Sequence, residues 1–136
     1  MSEMIFHDIR SAPAAFAPFC HAVEVDGWIQ LTGQMPIDPR QDSAGHDLKP
    51  LPADVGAQTR QVMANIGSIL AEIGLGLEHI MSARVYLTNF ERDYSAMNDV
   101  YRSYFPEDRL PARTCVGVTA LALGALVEID VRARRV

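Results

Sequence analysis

The sequence predicts an α+β fold in which two helices cover one face of a sheet of about six strands. Three observations carry the prediction. An Asp26-Gly27 pair stands between two short alternating runs, Asp54 to Ile73 repeats its apolar residues at helical spacing, and the last quarter alternates with the two-residue period of strands. Strands that alternate bury one face, so the helices are expected on that face.

The elements follow in order β-β-β-α-β-α-β-β. A weak first strand lies near Ile5–Ile9. His21 to Gln34 reads as a hairpin around Asp26-Gly27, with Ile29 and Leu31 on one face and Trp28, Gln30, Thr32 and Gln34 on the other. The Pro-, Asp- and Gly-rich stretch that follows is a loop, and its Asp38–Pro50 portion is either a flank of a cleft or a plain connector. A helix spans about Asp54–Ile73, with Asp54 as N-cap, Val55, Val62, Ile66, Ile69, Leu70 and Ile73 as its apolar stripe, and Gly74 and Gly76 as stop signals. Strand Met81–Thr88 places Met81, Ala83, Val85 and Leu87 together. A second helix spans about Tyr94–Phe105 with Tyr94, Met97, Val100, Tyr101, Tyr104 and Phe105 inward, and Pro106 stops it. Two strands close the chain at about Ala112–Val118 and Ala125–Arg134.

Composition narrows the function. With 49% hydrophobic and 21% charged residues over 136 positions, the chain reads as one globular domain, residues 1–136. The net charge of −5 and a single lysine, Lys49, disfavour nucleic acid as a partner, since phosphate affinity comes mainly from Lys and Arg. No apolar run approaches the roughly 20 residues that span a bilayer, and MSEMIFHDIR has no basic region followed by an apolar core. Cys20 and Cys115 have no CxxC spacing and read as reduced thiols. The expectation is a cytoplasmic protein without a membrane partner. His7, His46 and His79 lack ligand spacing, so no metal site is expected. Gly74-Leu75-Gly76 follows a helix, which is the wrong context for a phosphate loop.

The closing strands carry the candidate chemistry. Val127, Ile129, Val131 and Ala133 form the core set of the last strand, which turns Glu128, Asp130, Arg132 and Arg134 to the other face. In the strand before it, Thr114, Val116 and Val118 read as the core set, which turns Arg113, Cys115 and Gly117 to that same second face. Arg113 offers a planar fork for a carboxylate and Glu128 a group to hold a water and move a proton. A salt bridge, between the two or with Asp130 or Arg132, is the structural alternative. A mixed polar and aromatic second face also suggests a homo-oligomer.

These residues carry a resemblance. PARTCVGV and GALVEIDV, with TGQMPIDP, QTRQVMANI and M-N-D-V-Y earlier, resemble the RidA/YjgF family of enamine/imine deaminases over about Pro18–Ala133. Together the motifs are specific; singly each is weak. The resemblance implies a chorismate mutase-like, mixed and mostly antiparallel six-stranded sheet with two helices on one face. It also implies a homotrimer with clefts between subunits, and hydrolysis of 2-aminoacrylate or 2-iminopropanoate to a 2-keto acid and ammonia without metal or organic cofactor. Carried over, Arg113 binds the substrate carboxylate, backbone groups of Cys115 contact substrate or water, and Glu128 positions the water and moves the proton. Thr32, Gly33 and Asn98 shape the cleft.

One stretch departs from the family. Where many members carry G-P-Y-S-Q, this chain has APFCHAV, so Phe19, Cys20 and His21 replace a cleft-bordering tyrosine and its neighbours. His21 is then either a contact for a second polar group, on a larger enamine such as 2-aminomuconate, or simply a surface or satisfied interior histidine at the start of a strand. A non-catalytic, carboxylate-binding regulatory trimer is the other functional class; it needs Arg113 but not Glu128.

Overall fold

The computed structural model describes residues 2–39 and 51–136. Six strands, β1 (Ile5–His7), β2 (Ala22–Val25), β3 (Trp28–Leu31), β4 (Ile80–Leu87), β5 (Ala112–Gly117) and β6 (Val127–Arg134), form one sheet in the order β1-β2-β3-β6-β4-β5. Helices α1 (Val55–Glu72) and α2 (Phe90–Arg102) contribute to the core that covers one of its faces. Only β4–β5 is parallel, the crossover between them being α2; the other pairs are antiparallel. The expected α+β class and the mixed, mostly antiparallel sheet are both present. The expectation for the Asp38–Pro50 loop lies, from residue 40 on, outside the described residues.

Local sequence explains most boundaries. Asp26 and Gly27 both take positive φ, 53° and 78°, which is what the tight turn between β2 and β3 requires. Asp54 caps α1 by accepting the Ala57 N–H at 2.8 Å, and Gly74 follows the helix at φ 81°. Val62, Ile66, Ile69 and Leu70 of α1 are wholly buried against Ile29, Val85, Val127 and Ile129 of the sheet.

Three expectations are corrected. Helix α2 begins four residues before Tyr94 and ends three before Phe105. Glu91 and Asp93 occupy its first turn, where acidic groups suit the positive end of the helix dipole, and Tyr94 is 37% exposed rather than core. In β4 a register shift between Ile80 and Ser82 puts Ile80 inside and leaves Met81 47% exposed. In β5 the faces are reversed: Val116 is 40% exposed, while Cys115 packs against the core. No described helix is long and apolar enough to cross a membrane.

Candidate active site

Arg113 leads one half of the site. Its strand, β5, is the last in the sheet and lies in parallel register with β4, Ala83 beside Arg113 and Val85 beside Cys115. Residues in register point the same way, and Ala83 and Val85 are buried at 2% and 0%, so Arg113 points to the helix-covered side. It meets α2 there. Its guanidinium carbon lies 4.9 Å from the centroid of the Tyr101 ring and 5.9 Å from that of Tyr94, whose hydroxyl is 3.5 Å from Nη2. Arg113 has no carboxylate partner among the described residues. The surrounding cavity, about 480 Å³, is also lined by Asn98 and Leu110. Asn98 Oδ1 and Tyr101 Oη are buried there without a hydrogen-bond partner among the described residues, a costly arrangement for a protein interior. Burial pushes the Tyr101 phenol and the Cys115 thiol up, and Arg113 partly offsets both shifts.

Glu128 leads the other half. Strand β6 pairs it with Tyr86 of β4, on the face that no helix covers. Past β3 the chain returns to β6 through Gln34, whose amide donates to the Ile129 carbonyl at 2.8 Å while its carbonyl accepts from the Ile129 amide at 3.3 Å. That bridge lays Gly33 directly over the Glu128 carboxylate, and a Cβ at position 33 would collide with Oε2. Glu128 has no cationic partner among the described residues, and burial, followed by the charge of Asp130, pushes its carboxyl above the usual range. Asp130 itself is held by Arg84 Nε at 2.9 Å and the Tyr86 hydroxyl at 3.0 Å. The cavity beside Glu128, about 290 Å³, includes Thr32, Gly33, Phe19 and an edge of His21.

The two halves are not brought together within one chain. Arg113 and Glu128 lie on opposite faces, which corrects the expectation that they share the second face. The error lay in taking Val116 for a core residue; β5 is an edge strand, and its parallel register with β4 rather than its own hydrophobicity decides which side goes in. Strand β4 separates β5 from β6, so the two Cα atoms stand roughly 14 Å apart, from two strand spacings and three residues of rise. A salt bridge between them is thereby excluded.

His21 is an interior histidine. It is 2% exposed; Nδ1 accepts the Ile9 N–H at 2.8 Å, which leaves Nε2–H to donate to the Pro13 carbonyl at 2.8 Å. The solvated Asp8 carboxylate also lies 3.1 Å from Nδ1. Both ring nitrogens are therefore engaged inside the chain. Cys20 Sγ lies 3.5 Å from the Ala22 carbonyl, and the Cys20 carbonyl accepts the Thr32 hydroxyl at 2.6 Å. Among the described residues no group of three His, Cys, Asp or Glu side chains is placed to hold a metal ion.

Four residues escape a reading of pattern. Tyr94 and Tyr101 read as a core stripe, yet they form the platform under Arg113. Asn65, inside the apolar stripe of α1, donates from Nδ2 to the Met35 and Ile37 carbonyls at 3.0 and 2.9 Å and so pins the segment after β3. Gln58 does the same for neighbouring segments, donating to Pro52 O and accepting from Leu126 N, each at 2.8 Å. The signal for these two was available: a buried amide on an apolar helix face needs polar partners, and only loop backbone offers them.

Comparison with known proteins gives the family and supports the fold. The family model for endoribonuclease L-PSP matches residues 9–135. A RutC family protein of Pyrococcus horikoshii is 37% identical over 130 residues, spanning 96% of this chain and 95% of that one. A 2-iminobutanoate/2-iminopropanoate deaminase of Capra hircus is 38% identical over 132 residues, 96% and 90% of the two chains. Among solved structures, a Rid-family protein of unknown function from Yersinia pestis has TM-score 0.86 at 35% identity, covering 98% of this chain and 100% of its own. TdcF of E. coli with bound serine has TM-score 0.82 at 29% identity, covering 97% and 98%. On sequence and fold together, the chain belongs to the endoribonuclease L-PSP family, that of the RidA/YjgF and RutC proteins.

Proposed function

We propose that this protein hydrolyses 2-imino and 2-enamine carboxylates of the 2-aminoacrylate/2-iminopropanoate type to 2-keto acids and ammonia, in clefts between the subunits of a homotrimer. The observation that carries the reading is the pair of incomplete half-sites. Among the described residues Arg113 is a guanidinium held over a tyrosine ring with no acid, and Glu128 is a half-buried carboxyl with no cation. They face opposite ways in one chain, so one substrate engages both only where the helix-side half of one subunit meets the open-face half of another. Asn98 Oδ1 and Tyr101 Oη, buried beside Arg113 and unpartnered among the described residues, also fit a half-site that a neighbour or ligand completes. The deaminase name of the goat relative and the amino acid bound to TdcF support the same reading.

The chemistry needs little beyond placement. An imine carbon is already electrophilic, so no strong nucleophile is required. Arg113 takes the carboxylate in bidentate fashion and fixes the neighbouring carbon. Glu128 accepts a proton from water as the water oxygen bonds to that carbon. It returns that proton to nitrogen, which gives a carbinolamine, and then carries the hydroxyl proton to the same nitrogen as the C=O bond forms and the C–N bond breaks, so that ammonia leaves with both bonding electrons. A carboxyl held above its usual range by burial is suited to carrying the proton between the two steps. An enamine enters by tautomerising to the imine. The product is the 2-keto acid, and the proton balance closes without metal or organic cofactor.

The test is release of pyruvate and ammonia from 2-aminoacrylate generated in situ. Wild type accelerates it; Arg113→Ala and Glu128→Ala each abolish the acceleration, and Glu128→Ala still binds 2-keto acids. Full turnover by Glu128→Ala would overturn the mechanism. A regulatory carboxylate binder would bind in the same way and accelerate nothing.

A further inference from the structure

The cavity beside Glu128 has walls that the reaction does not explain. Phe16 and Phe19 meet edge to face, centroids 5.8 Å apart at 88°, and stand 49% and 38% exposed at its rim. Met35 and Ile37, buried at 6% and 5%, form its floor, held in place by Asn65. Pro13 closes a side. Among the described lining side chains the His21 ring is engaged by Ile9 and Pro13, the Thr32 hydroxyl by the Cys20 carbonyl, and the Gln34 side-chain amide nitrogen by the Thr32 carbonyl at 3.1 Å. Among the described lining residues the only charged group is Glu128 itself, and none is Lys or Arg. At about 290 Å³ the space lies near the lower end of the usual range for ligand pockets and holds about ten waters' worth of volume. A methyl substituent would leave most of it wet.

We propose that this chain selects imines whose substituent on the imine carbon is bulky and apolar, branched aliphatic or aromatic, and that Phe16 and Phe19 are the specificity-determining residues that receive it. The proposal rests on the imine-hydrolysis reading, because it takes Glu128 as the group beside the reacting carbon. It runs against a dicarboxylate such as 2-aminomuconate: a second carboxylate in this cavity would meet phenyl rings and Glu128, with no described cation to hold it. It also assigns a consequence to the departure at APFCHAV. A ring without a hydroxyl, met edge to face by a second ring three residues earlier, makes an apolar wall where a phenol would offer a polar tip.

The test compares imines made in situ by an amino-acid oxidase from L-alanine, L-leucine, L-phenylalanine and L-glutamate. Each buried methylene is worth about fourfold, so kcat/KM for the leucine and phenylalanine imines should exceed that for the alanine imine by about tenfold or more. The glutamate imine should be the slowest. Phe16→Ala, at a rim position where folding is not at stake, should shrink the leucine-to-alanine ratio toward one, and Phe16→Leu should restore most of it. Equal rates for all four imines, or preference for the glutamate imine, would overturn the proposal and leave the cavity as a surface for a neighbouring subunit. Calorimetry with the matching 2-keto acids separates this proposal from the reaction it rests on. If no imine is hydrolysed but the affinity order 4-methyl-2-oxopentanoate above pyruvate above 2-oxoglutarate holds, the apolar subsite stands and the hydrolase reading falls. If the affinities are flat, the subsite falls whatever the turnover.

Discussion

Arg113→Lys keeps the charge and removes the fork. In the wild type the guanidinium lies over Tyr101 at 4.9 Å and near Tyr94 at 5.9 Å, so its plane is set before substrate arrives. A lysine ammonium is a point charge on a flexible stem and satisfies one carboxylate oxygen well, not two. The loss is then one charge-assisted hydrogen bond, about 1.5–3 kcal/mol, plus part of a half-exposed cation–π contact, about 0.5–1 kcal/mol. The sum, about 2–4 kcal/mol, is roughly 30-fold to several hundred-fold in kcat/KM. It should fall mostly on KM, because the carboxylate contact is made equally in the ground and transition states. Steady-state hydrolysis of 2-aminoacrylate, with 2-keto acid affinity measured in parallel, reads both numbers. A lysine variant within threefold of wild type in both would refute the bidentate anchor and with it the role of the tyrosine platform.

Other outcomes follow from the same geometry. Glu128→Gln should cost roughly 10²- to 10⁴-fold in kcat, as for loss of a general acid–base group, read in the same assay with folding checked by circular dichroism. Because burial raises the folded-state pKa of Glu128, the folded state holds that proton more tightly than the unfolded chain. Its share of wild-type stability is therefore complete below the ordinary Glu range and is lost as pH rises through the folded pKa; urea unfolding against pH should show Glu128→Gln gaining on wild type across that window, and a constant difference would contradict it. Gly33→Ala should keep the fold but push the Glu128 carboxylate aside, since the new Cβ collides with Oε2, and a shift of about 1 Å costs on the order of 100-fold in kcat. Asn65→Ala leaves the Met35 and Ile37 carbonyls without their partner and should lose about 2–4 kcal/mol in urea unfolding, from about 1–2 for each hydrogen bond; a loss below about 0.5 kcal/mol would show that those carbonyls find other partners.

Local interactions made much of this legible from the chain alone. The Asp26-Gly27 turn, the Asp54 cap and the α1 stripe are decided within a few residues, by backbone sterics, one hydrogen bond and a period of 3.6, so sequence placed them to within a residue or two. Helix α2 was harder, because Glu91, Arg92 and Asp93 in its first turn interrupt the view of the apolar spacing that Phe90 begins and Tyr94, Met97 and Tyr101 continue. The residues of the candidate site were legible as well, through motifs that act together rather than through any one of them.

What the sequence by itself determined is the set of elements and the α+β class, and it singled out Arg113 and Glu128 as the pair proposed to grip a carboxylate and move a proton. Only the tertiary structure decided where those groups point. Strand β5 carries valine on its exposed side and arginine on its covered side, the reverse of what hydrophobicity suggests. Its orientation comes from the α2 crossover and the parallel register with β4, which are contacts made across 30 residues of chain. A period of two says that neighbours oppose each other; it cannot say which neighbour faces the helices when the strand lies at the edge and its apolar set is exposed. That single bit of information sets Arg113 and Glu128 on opposite faces of the sheet, and it is why the proposed function needs a second chain to bring them together.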